Sequence, residues 1–208
     1  MKVLVIAPHP DDECIGCGGV VCRHVQRGDE VHAVFLTSGE LGLKQLPREQ
    51  AWSMREKEAR AAAKVLHLAS TEFLRLPDWT MGDDLAAVSR GMRSSLDRLL
   101  PKLIYLPHPN EWHPDHKVCL PAIRAALDGV SNVPKLLGYE VWTPMAQHDH
   151  VENITDVMPT KLRALRKHAS QIKDWGYVRA VRALNEFRGI MAGRCRFAEV
   201  FQHLSIDA

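Results

Sequence analysis

Short apolar segments alternate with longer segments of helical composition along the whole chain, and this alternation limits the fold more than any other feature. The apolar segments predict strands at 2–7, 30–39, 71–77, 102–107, 135–143 and 196–204. The intervening segments predict helices at 14–28, 49–67, 85–100, 117–129, 157–174 and about 177–192. Strands that alternate with helices form right-handed βαβ units. We therefore expect an α/β protein, a Rossmann-like three-layer sandwich with a mostly parallel sheet and helices on both faces.

Composition excludes several classes of function. The 208 residues fit one domain, which we expect to span 1–208. The net charge is +2 and there is no basic block, so we expect no nucleic-acid partner. No apolar stretch approaches the ~20 residues that cross a bilayer, and the N-terminal run lacks the features of a signal peptide, so we expect no membrane association. The five cysteines, an odd number, indicate reduced thiols and a cytoplasmic location.

The triplet His-Pro-Asp occurs twice, at 9–11 and 113–115, each time directly after a predicted strand. Ligands of parallel sheets bind beyond the carboxyl ends of the strands, and two such ends can lie side by side. The two loops then bring six groups into a small volume: His9, Asp11, Asp12, His113, Asp115 and His116. Because carboxylates this close repel one another, we expect a compensating cation.

A divalent metal is the cation that these residue types favour, since imidazole and carboxylate are standard zinc ligands. A catalytic zinc keeps three protein ligands and a water, whose pKa it lowers to about 7. A further carboxylate can accept the proton of that water, and a facing histidine can donate one to a leaving group. Two histidines and one carboxylate also describe a non-haem iron site. A metal-dependent binding module is the non-enzymatic alternative.

Two other patterns in the first helix have simpler interpretations. Cys14 and Cys17 have the spacing of a redox or zinc-ribbon pair, but no second pair exists in the chain, so we expect both to pack inside the fold. The glycines within 16–19 resemble a dinucleotide-binding loop, but a charged pentapeptide separates them from the strand. We expect these glycines to let the helix approach the sheet closely.

The stretch "APHPDDECIGCGG", followed about a hundred residues later by "HPDH", resembles the PIG-L/LmbE family of zinc-dependent deacetylases. Further segments resemble family segments in the same order: "LTSGELG" (36–42), "MREKEARAAAKVL" (54–66), "KLRALRKHASQ" (161–171) and "RGIMAGRCRFAEVF" (188–201). The resemblance thus covers nearly the whole chain. It implies zinc as the cofactor and hydrolysis of an N-acetyl group on a small-molecule sugar conjugate of the N-acetylglucosamine type.

The family pattern implies a role for each matching position. The zinc ligands would be His9, Asp12 and His116. Asp11 would be the general base that deprotonates the metal-bound water. His113 would stabilise the tetrahedral oxyanion, protonate the leaving amine, or do both, while Asp115 would hold His113 by a hydrogen bond and favour its charged form. Arg55 would contact the substrate.

One position departs from the family pattern. Some members have a tyrosine two positions before the first histidine of "HPDH", where this chain has Glu111. A carboxylate cannot stabilise an oxyanion, so either zinc and His113 suffice or the substrate preference differs. Some relatives are hydratases of unsaturated carboxylic acids, and this chemistry remains an alternative. Weaker candidates for substrate contact are Trp112, Trp142, Trp175 and the histidines of the loop 148–150. A homo-oligomeric state also stays open.

Overall fold

The computed structural model describes residues 1–173 and 176–206, and within them helices flank a seven-stranded sheet. The strands are β1 Lys2–Ala7, β2 Glu30–Phe35, β3 Ser70–Phe73, β4 Leu103–Pro107, β5 Lys135–Tyr139, β6 His150–Asn153 and β7 Ala198–Leu204. The helices are α1 Asp12–Gln26, α2 Arg48–Leu66, α3 Leu85–Leu99, α4 Pro114–Ala126, α5 Met158–Leu165, α6 Ala169–Ile172 and α7 Tyr177–Arg188. Short 3-10 helices lie at Glu40–Leu43 and Met81–Asp84, and a π-helical turn lies at Gly189–Gly193. None of the helices in the described residues has the length and apolar character that a membrane span requires.

The strands follow the order β3-β2-β1-β4-β5-β7-β6 across the sheet. Strands β1 to β5 are parallel, whereas β7 runs antiparallel to both β5 and β6. Helices α1, α2 and α5 pack on one face of the sheet, and α3 and α4 pack on the other. This arrangement confirms the predicted α/β sandwich with a mostly parallel sheet.

The central strand β1 is buried on both faces, as its continuous apolar sequence predicts. Val3, Val5 and Ala7 pack against α1, α2 and α5, while Leu4 and Ile6 pack against α3 and α4. Burying each valine or leucine side chain contributes about 1.5–3 kcal/mol to folding. The end of β1 is therefore held rigidly where the first His-Pro-Asp loop begins.

Close packing between α1 and the strands explains the glycines of α1. A Cβ atom at Gly16 would lie 2.1 Å from the ring of Tyr139, and one at Gly19 would lie 2.5 Å from Ile154. The prediction that these glycines permit a close approach is confirmed. Cys14 and Cys17 are free and buried in the same helix.

Several segments differ from the predicted elements: the strands predicted at 30–39 and 71–77 end at Phe35 and Phe73, and the helix predicted at 117–129 begins at Pro114. The fifth strand ends at Tyr139 instead of 143, because the backbone N–H groups of 141–143 donate to a carboxylate and not to a neighbouring strand. The predicted helix 157–174 breaks after Leu165, and its last residue lies outside the described part of the chain. Strand β6 was not predicted, because its four partly exposed residues lack an apolar pattern.

The order of the strands creates a crevice between β1 and β4. The chain continues from β1 to β2 on one side and from β4 to β5 on the other, which is the switch point where open α/β sheets bind ligands. The loop 8–11 follows β1 and the loop 108–113 follows β4. The topology therefore brings the two His-Pro-Asp triplets together.

Candidate metal centre and active site

Three donor atoms from the two loops form a nearly equilateral triangle. His9 Nδ1 lies 3.3 Å from Asp12 Oδ2, His116 Nε2 lies 3.2 Å from the same oxygen, and the two nitrogens are 3.3 Å apart. A tetrahedral zinc with ligand bonds of about 2.0–2.1 Å separates its ligand atoms by about 3.3 Å. The other oxygen of Asp12, Oδ1, is buried without a hydrogen-bond partner among the described residues. The three residues that the resemblance predicted as ligands therefore fit a zinc ion.

Electrostatics support a cation at this triangle. Burial lowers the pKa of His9 and of His116, but neighbouring carboxylates outweigh burial and raise both pKa values. Conversely, burial raises the pKa of Asp12, and the two histidines lower it well below its usual range. The pocket thus holds a concentration of negative charge that favours a cation, and a divalent metal would replace the protons on the two imidazoles.

Two buried carboxylates contact the ring nitrogen of His9 that does not belong to the triangle. His9 Nε2 lies 3.1 Å from Asp78 Oδ1 and 3.1 Å from Asp115 Oδ2. Asp78 also accepts a hydrogen bond from the backbone N–H of Leu41. Such contacts fix the ring and the tautomer that presents the other nitrogen to a metal. Sequence reasoning missed Asp78, although its position just after β3, at the same edge of the sheet, was an available signal.

Glu111 is fully buried and lies behind the second histidine of the triangle. Its Oε2 is 3.7 Å from His116 Nδ1, and its carboxylate accepts the backbone N–H groups of Val141, Trp142 and Thr143. Burial raises the pKa of Glu111, but these hydrogen bonds and those from neighbouring histidines lower it to about 2. The residue that departs from the family pattern thus anchors the loop after β5 and supports His116.

Asp11 faces the same cavity from a strained turn. Its backbone φ is 129°, a region that residues other than glycine rarely adopt. The Glu13 carboxylate accepts the backbone N–H of Asp11 at 2.9 Å and contacts His168 Nε2 at 3.0 Å. Burial raises the pKa of the Asp11 carboxyl to about 6, although the Arg55 guanidinium acts to lower it. A carboxylate with this pKa is suited to accept a proton near neutral pH.

Arg55 lies on α2 and is 3% exposed. Its guanidinium donates to the carbonyl oxygens of Gly39 and Pro10 and lies 3.5 Å from Asp11 Oδ2. It therefore links the loop after β1 to the loop after β2, next to the strained turn at Asp11. It also lines the cavity, where the resemblance implied a substrate contact.

His113 adopts an orientation that corrects one expectation. It is the N-cap of α4, which begins at Pro114, and its Nδ1 accepts the backbone N–H of Asp115 at 3.2 Å. The carboxylate of Asp115 contacts His9 and the backbone N–H of Trp79 instead. The prediction that His113 donates a hydrogen bond to this carboxylate is therefore wrong, because the cap turns the imidazole back onto the helix end. In a neutral ring this leaves the proton on Nε2.

The charge state of His113 also differs from the expectation. Burial, followed by the proximity of His9 and His116, lowers its pKa to about 4, so the ring is neutral at pH 7. Asp115 acts to raise this pKa, but its effect is smaller. His113 therefore offers a neutral N–H donor in place of a charged acid.

The cavity between these groups has a volume of about 130 Å³. Its remaining walls include Gly42, Trp79, Trp142, Gln171 and Tyr177. The ring of Trp79, which is 46% exposed, lies 4.5 Å from that of His113. The pocket thus combines polar groups at its base with aromatic rings at its rim.

The weaker candidates for substrate contact have different outcomes. Trp142 lines the cavity, and Trp112 lies beside it, with its ring 5.3 Å from that of His113. Trp175 lies outside the described residues. His150 belongs to β6, where it contacts Glu152 and Phe201, and neither it nor His148 is among the described residues that line the cavity.

Comparisons with known proteins agree with this geometry. Residues 4–127 match the family model PIG-L, described as GlcNAc-PI de-N-acetylase. A probable N-acetyl-alpha-D-glucosaminyl L-malate deacetylase 2 from Bacillus anthracis is 30% identical over 183 residues, which cover 81% of this chain and 80% of the relative.

Solved structures extend the match to the whole fold. An N,N'-diacetylchitobiose deacetylase from Pyrococcus horikoshii superposes with a TM-score of 0.82 and 26% identity, covering 99% of this chain and 84% of that one. A 4-carboxy-2-hydroxymuconate hydratase from Pseudomonas putida KT2440 has a TM-score of 0.81 at 24% identity, covering 98% and 96%, which shows a shared fold alone. The family match spans more than half of the chain and contains both His-Pro-Asp loops. The protein therefore belongs to the PIG-L family of de-N-acetylases.

Proposed function

We propose that this protein is a zinc-dependent hydrolase that removes the acetyl group from an N-acetylglucosamine-type substrate. The observation that carries the proposal is the triangle of His9, Asp12 and His116, with donor atoms 3.2–3.3 Å apart, beside the buried carboxylate of Asp11. The names of the Bacillus anthracis and Pyrococcus horikoshii proteins support an N-acetylated sugar as the substrate.

His9, Asp12 and His116 would hold a zinc ion, which would supply a Lewis acid beside Asp11. Asp11 accepts the proton of the attacking water and passes it to the nitrogen that leaves. His113 donates a hydrogen bond from Nε2–H to the acyl oxygen as negative charge develops there. Because His113 is neutral at pH 7, we assign it the stabilising role and assign the transfer of the proton to Asp11. Acetate and a free amine are the products.

The rest of the cavity suits a sugar. The aromatic rings of Trp79, Trp142 and Tyr177 offer flat surfaces for the apolar face of a pyranose ring, and Arg55 offers a buried cation at the base. Asp78 and Asp115 hold His9, so we assign both a supporting role. We also propose that the protein acts in a reducing compartment such as the cytoplasm, since its cysteines are free.

The test is a screen of N-acetylglucosamine conjugates with detection of acetate and of free amine, run on metal-free protein and after addition of zinc. We expect release that requires zinc. Asp11→Asn should bind zinc and lose most of its activity, and near-full activity of this variant would show that Asp11 is not the base. The fold shared with a hydratase makes one further assay useful. Loss of the absorbance of an unsaturated carboxylic acid, without release of acetate from any conjugate, would favour the hydratase alternative over deacetylation.

A further inference from the structure

A second cavity lies beside the candidate active site and shares two of its walls. It has a volume of about 270 Å³, and Trp142 and Tyr177 line both cavities. The rings of these two residues meet edge to face, with centroids 5.0 Å apart. The two cavities are therefore neighbours, and the rings of Trp142 and Tyr177 lie at their boundary.

The lining of this second cavity is apolar. Ile15 of α1, Val141 and Pro144 after β5, and Val181 and Leu184 of α7 provide most of its remaining surface. None of the described residues that line it is charged. Its polar residue, Asn185, uses its side-chain N–H to donate to the carbonyl oxygen of Ala198. Asn185 Oδ1 is a buried acceptor without a hydrogen-bond partner among the described residues, whereas a carboxylate would lose its hydration here and meet no cation.

We propose that this cavity, the apolar subsite, binds an aryl or short alkyl aglycone of the substrate. The inference rests on the proposed deacetylation. If the acetyl group reacts beside Asp11, the part of the substrate that extends past Trp142 and Tyr177 belongs to the conjugate beyond the sugar. The volume accommodates an aromatic ring or a short alkyl chain, and apolar walls reward burial of such a group. A malate would lose the hydration of its carboxylates there without meeting a cation.

Two glycosides of N-acetylglucosamine test the apolar subsite, one with a methyl and one with a phenyl aglycone. Burying most of a phenyl ring predicts a kcat/KM about tenfold higher for the phenyl glycoside. Ala180 lines the cavity and is exposed on α7, so Ala180→Phe fills the apolar subsite without disturbing the core. We expect this variant to reduce the ratio of kcat/KM for the phenyl glycoside to kcat/KM for the methyl glycoside to about one. Ala183 is exposed on the same helix and does not line the cavity, so Ala183→Phe should keep the ratio.

Calorimetry separates this inference from the proposed function. Binding of both glycosides is measured with zinc-loaded Asp11→Asn protein, in which turnover is not required. A tighter Kd for the phenyl glycoside, lost in Ala180→Phe and kept in Ala183→Phe, supports the apolar subsite even if no acetate is released. Equal Kd values for the two glycosides overturn it, even if both are deacetylated. Equal effects of the two phenylalanine variants also overturn it.

Discussion

Replacing Glu13 by alanine removes the side chain that holds the strained turn before α1. The carboxylate is 1% exposed, accepts the backbone N–H of Asp11 and contacts the ring of His168. The Cys14 thiol donates to the same carboxylate. Loss of the carboxylate removes the acceptor of the Asp11 N–H and the group that Cys14 and His168 both contact, at about 1–3 kcal/mol for each of these two losses, so the lost contacts should lower the free energy of unfolding by about 2–6 kcal/mol. The φ of 129° at Asp11 stores strain of about 1–3 kcal/mol, and if the turn relaxes and moves the carboxylate, release of this strain offsets part of that loss.

The assay pairs stability with catalysis. Urea unfolding of metal-free protein reports the free energy, and zinc-saturated kinetics report kcat and KM separately. Because the base moves while the sugar pocket stays, we expect kcat to fall by at least about tenfold with a smaller change in KM. Glu13→Gln is the matched control, since its amide oxygen can still accept the Asp11 N–H, and it should retain most of kcat. A Glu13→Ala protein with unchanged kcat and unchanged stability would refute the reasoning.

Other perturbations have equally defined outcomes. Glu111→Gln weakens the support of His116, so zinc affinity measured by competition with a chelator should fall about 10–100-fold. Burial raises the pKa of Asp11 to about 6, and bound zinc would lower this pKa. The kcat/KM of the zinc-loaded protein should therefore decline at a pH below about 6, where protonated Asp11 cannot accept a proton, and an inflection above 6 would contradict the assignment. Lys161→Met leaves the buried carboxylate of Glu199 without its cation, and urea unfolding should show a loss of about 3–5 kcal/mol, whereas an unchanged midpoint would contradict a stabilising ion pair here.

The sequence predicts the fold and the centre of the site for a clear physical reason. Apolar strands alternating with helices leave few topologies, and each of these places strand ends at one edge of the sheet. The two His-Pro-Asp triplets follow β1 and β4, so their convergence follows from the strand order. The strand order predicts that the six groups of the two loops meet, whereas the choice of His9, Asp12 and His116 as ligands and of Asp11 as the base depends on the resemblance to the PIG-L/LmbE family.

The groups behind the ligands are less predictable, because they depend on loop paths and caps. Asp78 reaches His9 through the loop after β3, and Glu111 supports His116 through a loop that wraps its carboxylate. The orientation of His113 depends on the start of α4 at Pro114, three residues earlier than the predicted 117. Strand β6 and the apolar subsite depend on long-range packing, for which local sequence patterns carry no signal.

The most direct test of the central claim titrates zinc into metal-free protein and measures the release of acetate from an N-acetylglucosamine conjugate. The triangle of His9, Asp12 and His116 predicts that the rate rises in proportion to added zinc and stops rising at one equivalent. His116→Ala should show neither tight binding nor this rise. Release of acetate from protein shown to be free of metal, or one tightly bound zinc without any release from the conjugates screened, would contradict the account.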